Sequence, residues 1–290
     1  VSALVDAWRA RGRDHDLLGH RIFVVEVPAT GPVTAPPLVV LHGFPTSSFD
    51  FHRVVDVLAV ERRVVLFDML GYGLSAKPDR PYRLVDQADL AQALVAELGI
   101  DRLGLLTHDI GDTVGGELLA RQLEGSWPVE VTDRIVANGT LFMDLVQLSA
   151  GQQFLEALPD ERMAAGVLTR DAVVDGLVAT FSPRHRVDDT EVAAAWELIS
   201  ADGGERLMAR HARYIDERRH HEARFTPPVV DHPSPLTVVW GVDDPIAVPA
   251  MADRLAAARP DARVVRLDGV GHYPMVEAPD RFVAAALGRG

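Results

Sequence analysis

Thr107-His108-Asp109-Ile110-Gly111 follows a short apolar run and opens a glycine-bearing helical pattern. Small flanking residues, here Thr107 and Gly111, are what a sharp strand-to-helix reversal needs. Such a turn holds its central side chain out over the end of a sheet. Turns of this shape ordinarily present a serine, which attacks only after a base has removed its proton. Here the centre is Asp109, a carboxylate already ionised at neutral pH and able to displace a leaving group from saturated carbon. An isolated aspartate between a strand and a helix is equally a good N-cap, so its meaning depends on what the rest of the chain supplies.

Outward from this turn, short β-branched runs alternate with longer helical patterns, which predicts parallel strands joined by crossover helices. Strands are expected over 21–27, 38–41, 64–68, 103–107, 134–137, 236–240 and 264–267. Helices are expected over 86–98, stopped by Gly99, over 250–258, ahead of Pro260, and over 279–287. Between about 141 and 226 the alternation fails and the pattern is helical without strands. The fold class is therefore α/β, a mostly parallel sheet flanked by helices. Its core falls in two parts, 1–140 and 227–290, with a helical cap, 141–226, inserted over the strand ends. Thr226-Pro227-Pro228 and His232-Pro233-Ser234-Pro235 mark the far boundary of that cap.

Composition narrows the function classes. The chain has 290 residues, 48% hydrophobic and 24% charged, the balance of a soluble globular protein. No apolar run reaches the roughly 18 to 20 residues a bilayer span needs, and no basic-then-apolar leader is visible, so a cytoplasmic protein is expected. The absence of cysteine excludes disulfides and thiolate chemistry. A net charge of -13 argues against nucleic acid as a partner. The arginines between Arg210 and Arg224, Arg218-Arg219 among them, read as a solvated helix face. His211, His220 and His221 lack a second set of ligands at metal spacing, and neither metal nor cofactor is expected.

Four further segments accompany the Asp109 turn in a telling order. Leu41-His42-Gly43-Phe44-Pro45 and a glycine-rich loop over 68–78 follow early strands; Trp240-Gly241-Val242-Asp243-Asp244-Pro245 and Gly271-His272-Tyr273-Pro274 follow the last two. This set resembles the α/β-hydrolase fold, and within it the aspartate-nucleophile branch that contains epoxide hydrolases and haloalkane dehalogenases. Gly43-Phe44-Pro45-Thr46-Ser47-Ser48, His108-Asp109-Ile110-Gly111-Asp112 and His272-Tyr273-Pro274 are similar to the mesoderm-specific-transcript subgroup of epoxide-hydrolase-like proteins.

The resemblance implies Asp109 as nucleophile, His272 as base and Asp244, in preference to Asp243, as the acid that orients it, in the order nucleophile, acid, histidine. The placement of the acid one strand earlier, known in some dehalogenases, would fall at Asn138-Gly139, which carries no carboxylate. The backbone N–H groups of Phe44 and Ile110 are the implied oxyanion donors, Phe44-Pro45 stands at the family's cis peptide, and His42 is read as a buttress of that loop. Epoxide hydrolases use cap tyrosines to protonate the leaving oxygen, and here the cap holds one, Tyr214. Haloalkane dehalogenases grip halide with a tryptophan after the nucleophile and an asparagine near the loop histidine, positions taken here by Ile110 and Phe44. Trp196 is the remaining cap candidate. The expected activity is hydrolysis of an epoxide to a diol, with water and an apolar small molecule as substrates. A dehalogenase and a non-catalytic ligand-binding protein are the alternatives.

Overall fold

The computed structural model describes residues 2–288, in which eight strands form one sheet. They are Gly12–Leu17 (β1), His20–Val27 (β2), Leu38–Leu41 (β3), Val64–Phe67 (β4), Arg102–His108 (β5), Glu130–Ala137 (β6), Leu236–Gly241 (β7) and Arg263–Leu267 (β8). Their order is β1-β2-β4-β3-β5-β6-β7-β8. β2 runs antiparallel to its neighbours β1 and β4, and the remaining pairs are parallel. The sequences LVVL of β3 and VVLF of β4 are buried throughout, the pattern of strands covered on both faces.

Alternate residues of β3 serve two cores. Val39 and Leu41 join a cluster with Leu90, Leu94, Val114 and Leu118 from helices Leu84–Glu97 and Ile110–Leu123. Leu38 and Val40 join the cluster of Trp8, Phe51, Leu58 and Phe282 on the opposite face. Burying each such large side chain contributes roughly 1.5–3 kcal/mol, so these two layers fix the sheet to which the candidate site is attached.

Seven strands lie where the hydrophobic pattern predicts them. The eighth, β1, is the polar stretch GRDHDL, closed onto β2 by a two-residue turn in which Leu18 and Gly19 have φ of 53° and 79°. Both angles suit a hairpin turn whose twist matches the strands. β1 lies at the sheet edge, where charge discourages pairing with another chain. Its lack of apolar alternation hides it from pattern reading.

Between β6 and β7 the chain is helical, through Ala150–Ala157, Arg170–Val178, Asp189–Ser200, Met208–His211 and Tyr214–Asp231. The last of these kinks at His221 and then continues through Pro227 and Pro228 to Asp231, so Thr226 is not a break. Phe225 and Val229 on this segment are buried in the core cluster. Gly116 of the facing helix permits the approach, because a Cβ there would lie 2.3 Å from the Phe225 carbonyl oxygen. This packing outweighs the two amide donors that the prolines remove. Gly116→Ala is expected to destabilise the protein by about 1–3 kcal/mol in urea unfolding, as overpacking does elsewhere.

Candidate active site

β5 ends at His108 and helix Ile110–Leu123 begins one residue after Asp109. The reversal places Asp109 at φ 51° and ψ -118°, a conformation an L-residue holds only under constraint. Gly111 makes the turn possible, since a Cβ on it would meet the Leu41 carbonyl oxygen at 2.4 Å. The Asp109 side chain makes no N-cap hydrogen bond to its own helix. Its Oδ2 accepts instead from the Phe44 N–H at 2.8 Å, across a loop whose Phe44-Pro45 bond is cis. Burial pushes the Asp109 carboxyl up, while the His272 charge, the Phe44 N–H, Arg218 and the Ile110 N–H all favour the ionised form. One oxygen, Oδ2, is thus held by the Phe44 N–H.

The loop beneath Phe44 is braced by His42, whose Nδ1 donates to the Gly43 carbonyl at 2.9 Å while Nε2 accepts from the Met69 N–H at 2.9 Å. Both nitrogens are committed in the neutral tautomer, and burial holds its pKa below the ordinary histidine value. In the 68–78 loop, Asp68 accepts from Ser48 and from the Leu74 N–H, and Ser75 bonds the Phe23 amide. The aspartate and serine of that loop are therefore consumed in shaping it.

His272 follows β8 and donates Nδ1–H to Asp244 Oδ2 at 2.8 Å. Asp244 is fixed in turn: Oδ1 accepts from the Ile246 and Ala247 amides at 2.8 and 3.0 Å, and Oδ2 also accepts from Asn138 Nδ2 at 2.8 Å. Asp243 points elsewhere, accepting from Ser182 Oγ at 2.6 Å and pairing with Arg184. Glu277 ties the histidine loop by accepting from the Gly271, Tyr273 and Ser182 amides at 2.8, 3.0 and 2.9 Å. Burial alone would depress the His272 pKa. The adjacent Asp244 charge and hydrogen bond, with Asp109, overcome it and raise the pKa to about 9.

Asp109 and His272 both line a cavity of about 360 Å³ between the strand ends and the inserted helices. Phe44, Leu155, Val173, Leu177, Met208 and Ile246 make most of it apolar. Phe154 and Val167, 48% and 43% exposed, are among its lining residues and extend the apolar wall to the surface. Among the described residues no three His, Cys, Asp or Glu side chains converge as a metal site would require.

A family model described as alpha/beta hydrolase fold matches residues 36–279. The chain belongs to that family. This α/β-hydrolase is 38% identical over 289 residues to LipZ of Mycobacterium tuberculosis, covering 99% of this chain and 98% of that one. It is 31% identical over 301 residues to the mesoderm-specific transcript homolog protein of Bos taurus, covering 99% and 88%. With haloalkane dehalogenase 2 of Mycobacterium bovis it shares 27% identity over 262 residues, covering 88% of each chain. Among its described residues no helix is long and apolar enough to cross a membrane.

Neither cap residue singled out in the sequence, Tyr214 or Trp196, is among the residues lining the cavity, but Tyr214 packs against two that are, Phe44 and Gln152. The Tyr214 ring lies 5.4 Å from that of Phe44 and its hydroxyl accepts from Gln152 Nε2 at 2.8 Å. Burial, then the Asp109 charge, raise its pKa. Trp196 lies in helix Asp189–Ser200, half-buried against the core and outside the cavity lining.

The expectation of a solvated arginine face fails at Arg218. It is 4% exposed, donates to Thr140 Oγ1 and bears electrostatically on Tyr214 and Asp109. Its neighbour Arg219 is exposed and pairs with Glu156. Arg218 and Arg219 look alike in sequence, and only the packing of helix Tyr214–Asp231 against the core separates them. His211 is also buried, stacked on Tyr72 at 4.4 Å, whereas His220 is exposed. Gln152, which lines the cavity, carried only a capping signature in sequence, Ser149-x-x-Gln.

The charge pattern of this α/β-hydrolase sets an expected pH profile. His272 can accept a proton from water only when neutral, and Asp109 is one of the charges that raise its pKa. If a substrate is bonded to Asp109 that charge is gone, and the His272 pKa then falls below about 9. For a reaction in which His272 acts as base on such an ester, the rate of its hydrolysis is expected to rise with pH and level off above that lowered value. Asp244→Asn should move the midpoint lower still and slow the step, as stopped-flow measurements across pH would show.

Proposed function

We propose that this α/β-hydrolase opens an apolar epoxide to a vicinal diol through an ester on Asp109. The observation that carries this reading is the elbow carboxylate itself, with Oδ2 already on the Phe44 N–H and Asp109 lining a cavity together with His272. Asp109 Oδ1 attacks an epoxide carbon, the carbon–oxygen bond opens, and Tyr214 gives its proton to the leaving oxygen. His272 Nε2 then removes a proton from water, whose oxygen adds to Cγ of Asp109. The oxyanion that develops at Oδ2 lies on the Phe44 and Ile110 amides. Collapse releases the diol and restores the carboxylate. Residues 141–226 act as the cap, and the apolar wall from Leu177 to the exposed Phe154 favours an apolar substrate.

Dehalogenation is the second reading, supported by the 27% identity to haloalkane dehalogenase 2. What speaks against it is that Ile110 and Phe44, whose side chains carry no donor, stand where haloalkane dehalogenases are expected to place a halide-binding tryptophan and asparagine. Matched epoxides and haloalkanes of equal chain length should distinguish them. Diol formation without halide release is the expected outcome; halide release that depends on Asp109, with epoxides inert, would replace the epoxide reading.

A further inference from the structure

A leaving alkoxide is far more basic than a halide, and one phenol is a modest device for stabilising it. The cap offers a second donor that the tyrosine content does not reveal. Gln152 sits at the third position of helix Ala150–Ala157, 7% exposed, and lines the cavity with Asp109 and His272. Its amide cannot rotate freely. Oε1 accepts from the Ser149 N–H at 2.9 Å, completing a capping box in which Ser149 Oγ accepts from the Gln152 N–H at 3.2 Å. That bond fixes which end of the amide is nitrogen, and one N–H of Nε2 donates to the Tyr214 hydroxyl oxygen at 2.8 Å. The other N–H has no partner among the described residues.

The structure assigns Gln152 as the second leaving-oxygen donor of this enzyme, a phenol–amide pair with Tyr214 in place of two phenols. The assignment rests on the epoxide reading above. Two consequences follow from the bonds. Because the Tyr214 oxygen accepts from Gln152, its own proton is directed away from the amide and is free for the substrate. As the epoxide carbon–oxygen bond breaks, its electron pair goes to the oxygen, which takes the Tyr214 proton, and Gln152 Nε2–H stabilises the phenolate left behind. The free N–H meets the same substrate oxygen. The tyrosine recovers its proton from the one His272 takes from water, while the second proton of that water goes to the oxygen released from Asp109, so the cycle closes on one epoxide and one water.

Gln152→Glu tests this without disturbing the helix. Glutamate keeps the acceptor for the Ser149 amide, since it is as good as glutamine in a capping box, but it brings no N–H. Single-turnover alkylation of Asp109 by an epoxide, followed by rapid-quench mass spectrometry, should fall by roughly 10²-fold in this variant, the scale of losing one preorganised donor. The fall should be larger for epoxides with a more basic leaving oxygen and be confined to the alkylation step, with the midpoint of thermal unfolding held within about 2 °C of wild type. A purely structural role would lower that midpoint and slow all epoxides equally. Alkylation as fast in Gln152→Glu as in wild type overturns the assignment and leaves the epoxide reading standing. No adduct in the wild-type enzyme with any epoxide overturns the epoxide reading itself.

Discussion

His272→Gln is expected to leave the enzyme trapped as its substrate ester, with the protein mass raised by one epoxide and turnover lower by roughly 10²- to 10⁴-fold, the range a positioned base contributes. The two half-reactions make different demands. Alkylation needs an ionised Asp109 and donors at the leaving oxygen, and neither is His272. Hydrolysis needs a base for water inside an apolar cavity, and His272, held by Asp244 at 2.8 Å, is the base we propose there. Glutamine cannot accept the proton, so the ester persists. A secondary effect comes with it. The His272 charge is the foremost influence holding Asp109 in its ionised form against burial, so its removal raises the Asp109 pKa. Alkylation in the variant should therefore fail at a higher pH than in wild type as the solution is made acidic. Quenched samples taken across a pH series would record both the adduct and this displaced acid limb.

Asp109→Ala is expected to abolish alkylation, a loss on the order of 10⁶-fold in turnover, as removal of a nucleophile from a cooperating set produces. No neighbouring carboxylate can substitute. Asp112, one helical turn on, is buried, and burial pushes its carboxyl up to about 8, which favours the neutral, non-nucleophilic form. Asp244 is saturated by Ile246, Ala247, Asn138 and His272. The fold should survive, because alanine keeps the Cβ that the elbow already accommodates. Asp109→Gly should in addition relieve a positive φ of 51° and unfold at higher urea than Asp109→Ala, by about 1 kcal/mol. Adduct formation in either variant would remove Asp109 from the nucleophile role.

These expectations rest largely on features the sequence displays. Buried parallel strands write themselves as unbroken apolar runs, which is why β3 and β4 are visible in LVVL and VVLF. The elbow is visible because a sharp reversal admits only small neighbours, and the order of Asp109, Asp244 and His272 adds a constraint that no single motif carries. What was hidden depends on contacts between distant segments. β1 is polar because it lies at an edge, so its pairing with β2 leaves no periodic trace. Pro227 and Pro228 signal a break, yet Phe225 and Val229 hold the helix together by packing near Gly116. Arg218 and Gln152 have the composition of surface helices, and only long-range packing buries Arg218 within electrostatic reach of Asp109 and sets Gln152 in the cavity lining. Trp196, selected for its indole N–H, is half-buried against the core and, like Tyr214, is not among the residues lining the cavity.

One isotope measurement bears most directly on the aspartyl ester. A single turnover of wild-type enzyme in excess over an epoxide, run in H₂¹⁸O, should place one ¹⁸O in the peptide containing Asp109 and release a diol whose new oxygen is ¹⁶O, drawn from the carboxylate. In the proposed mechanism water adds to Cγ of Asp109 and never to the substrate carbon. Label in the diol with none in Asp109 would contradict it, making Asp109 a base for direct attack by water.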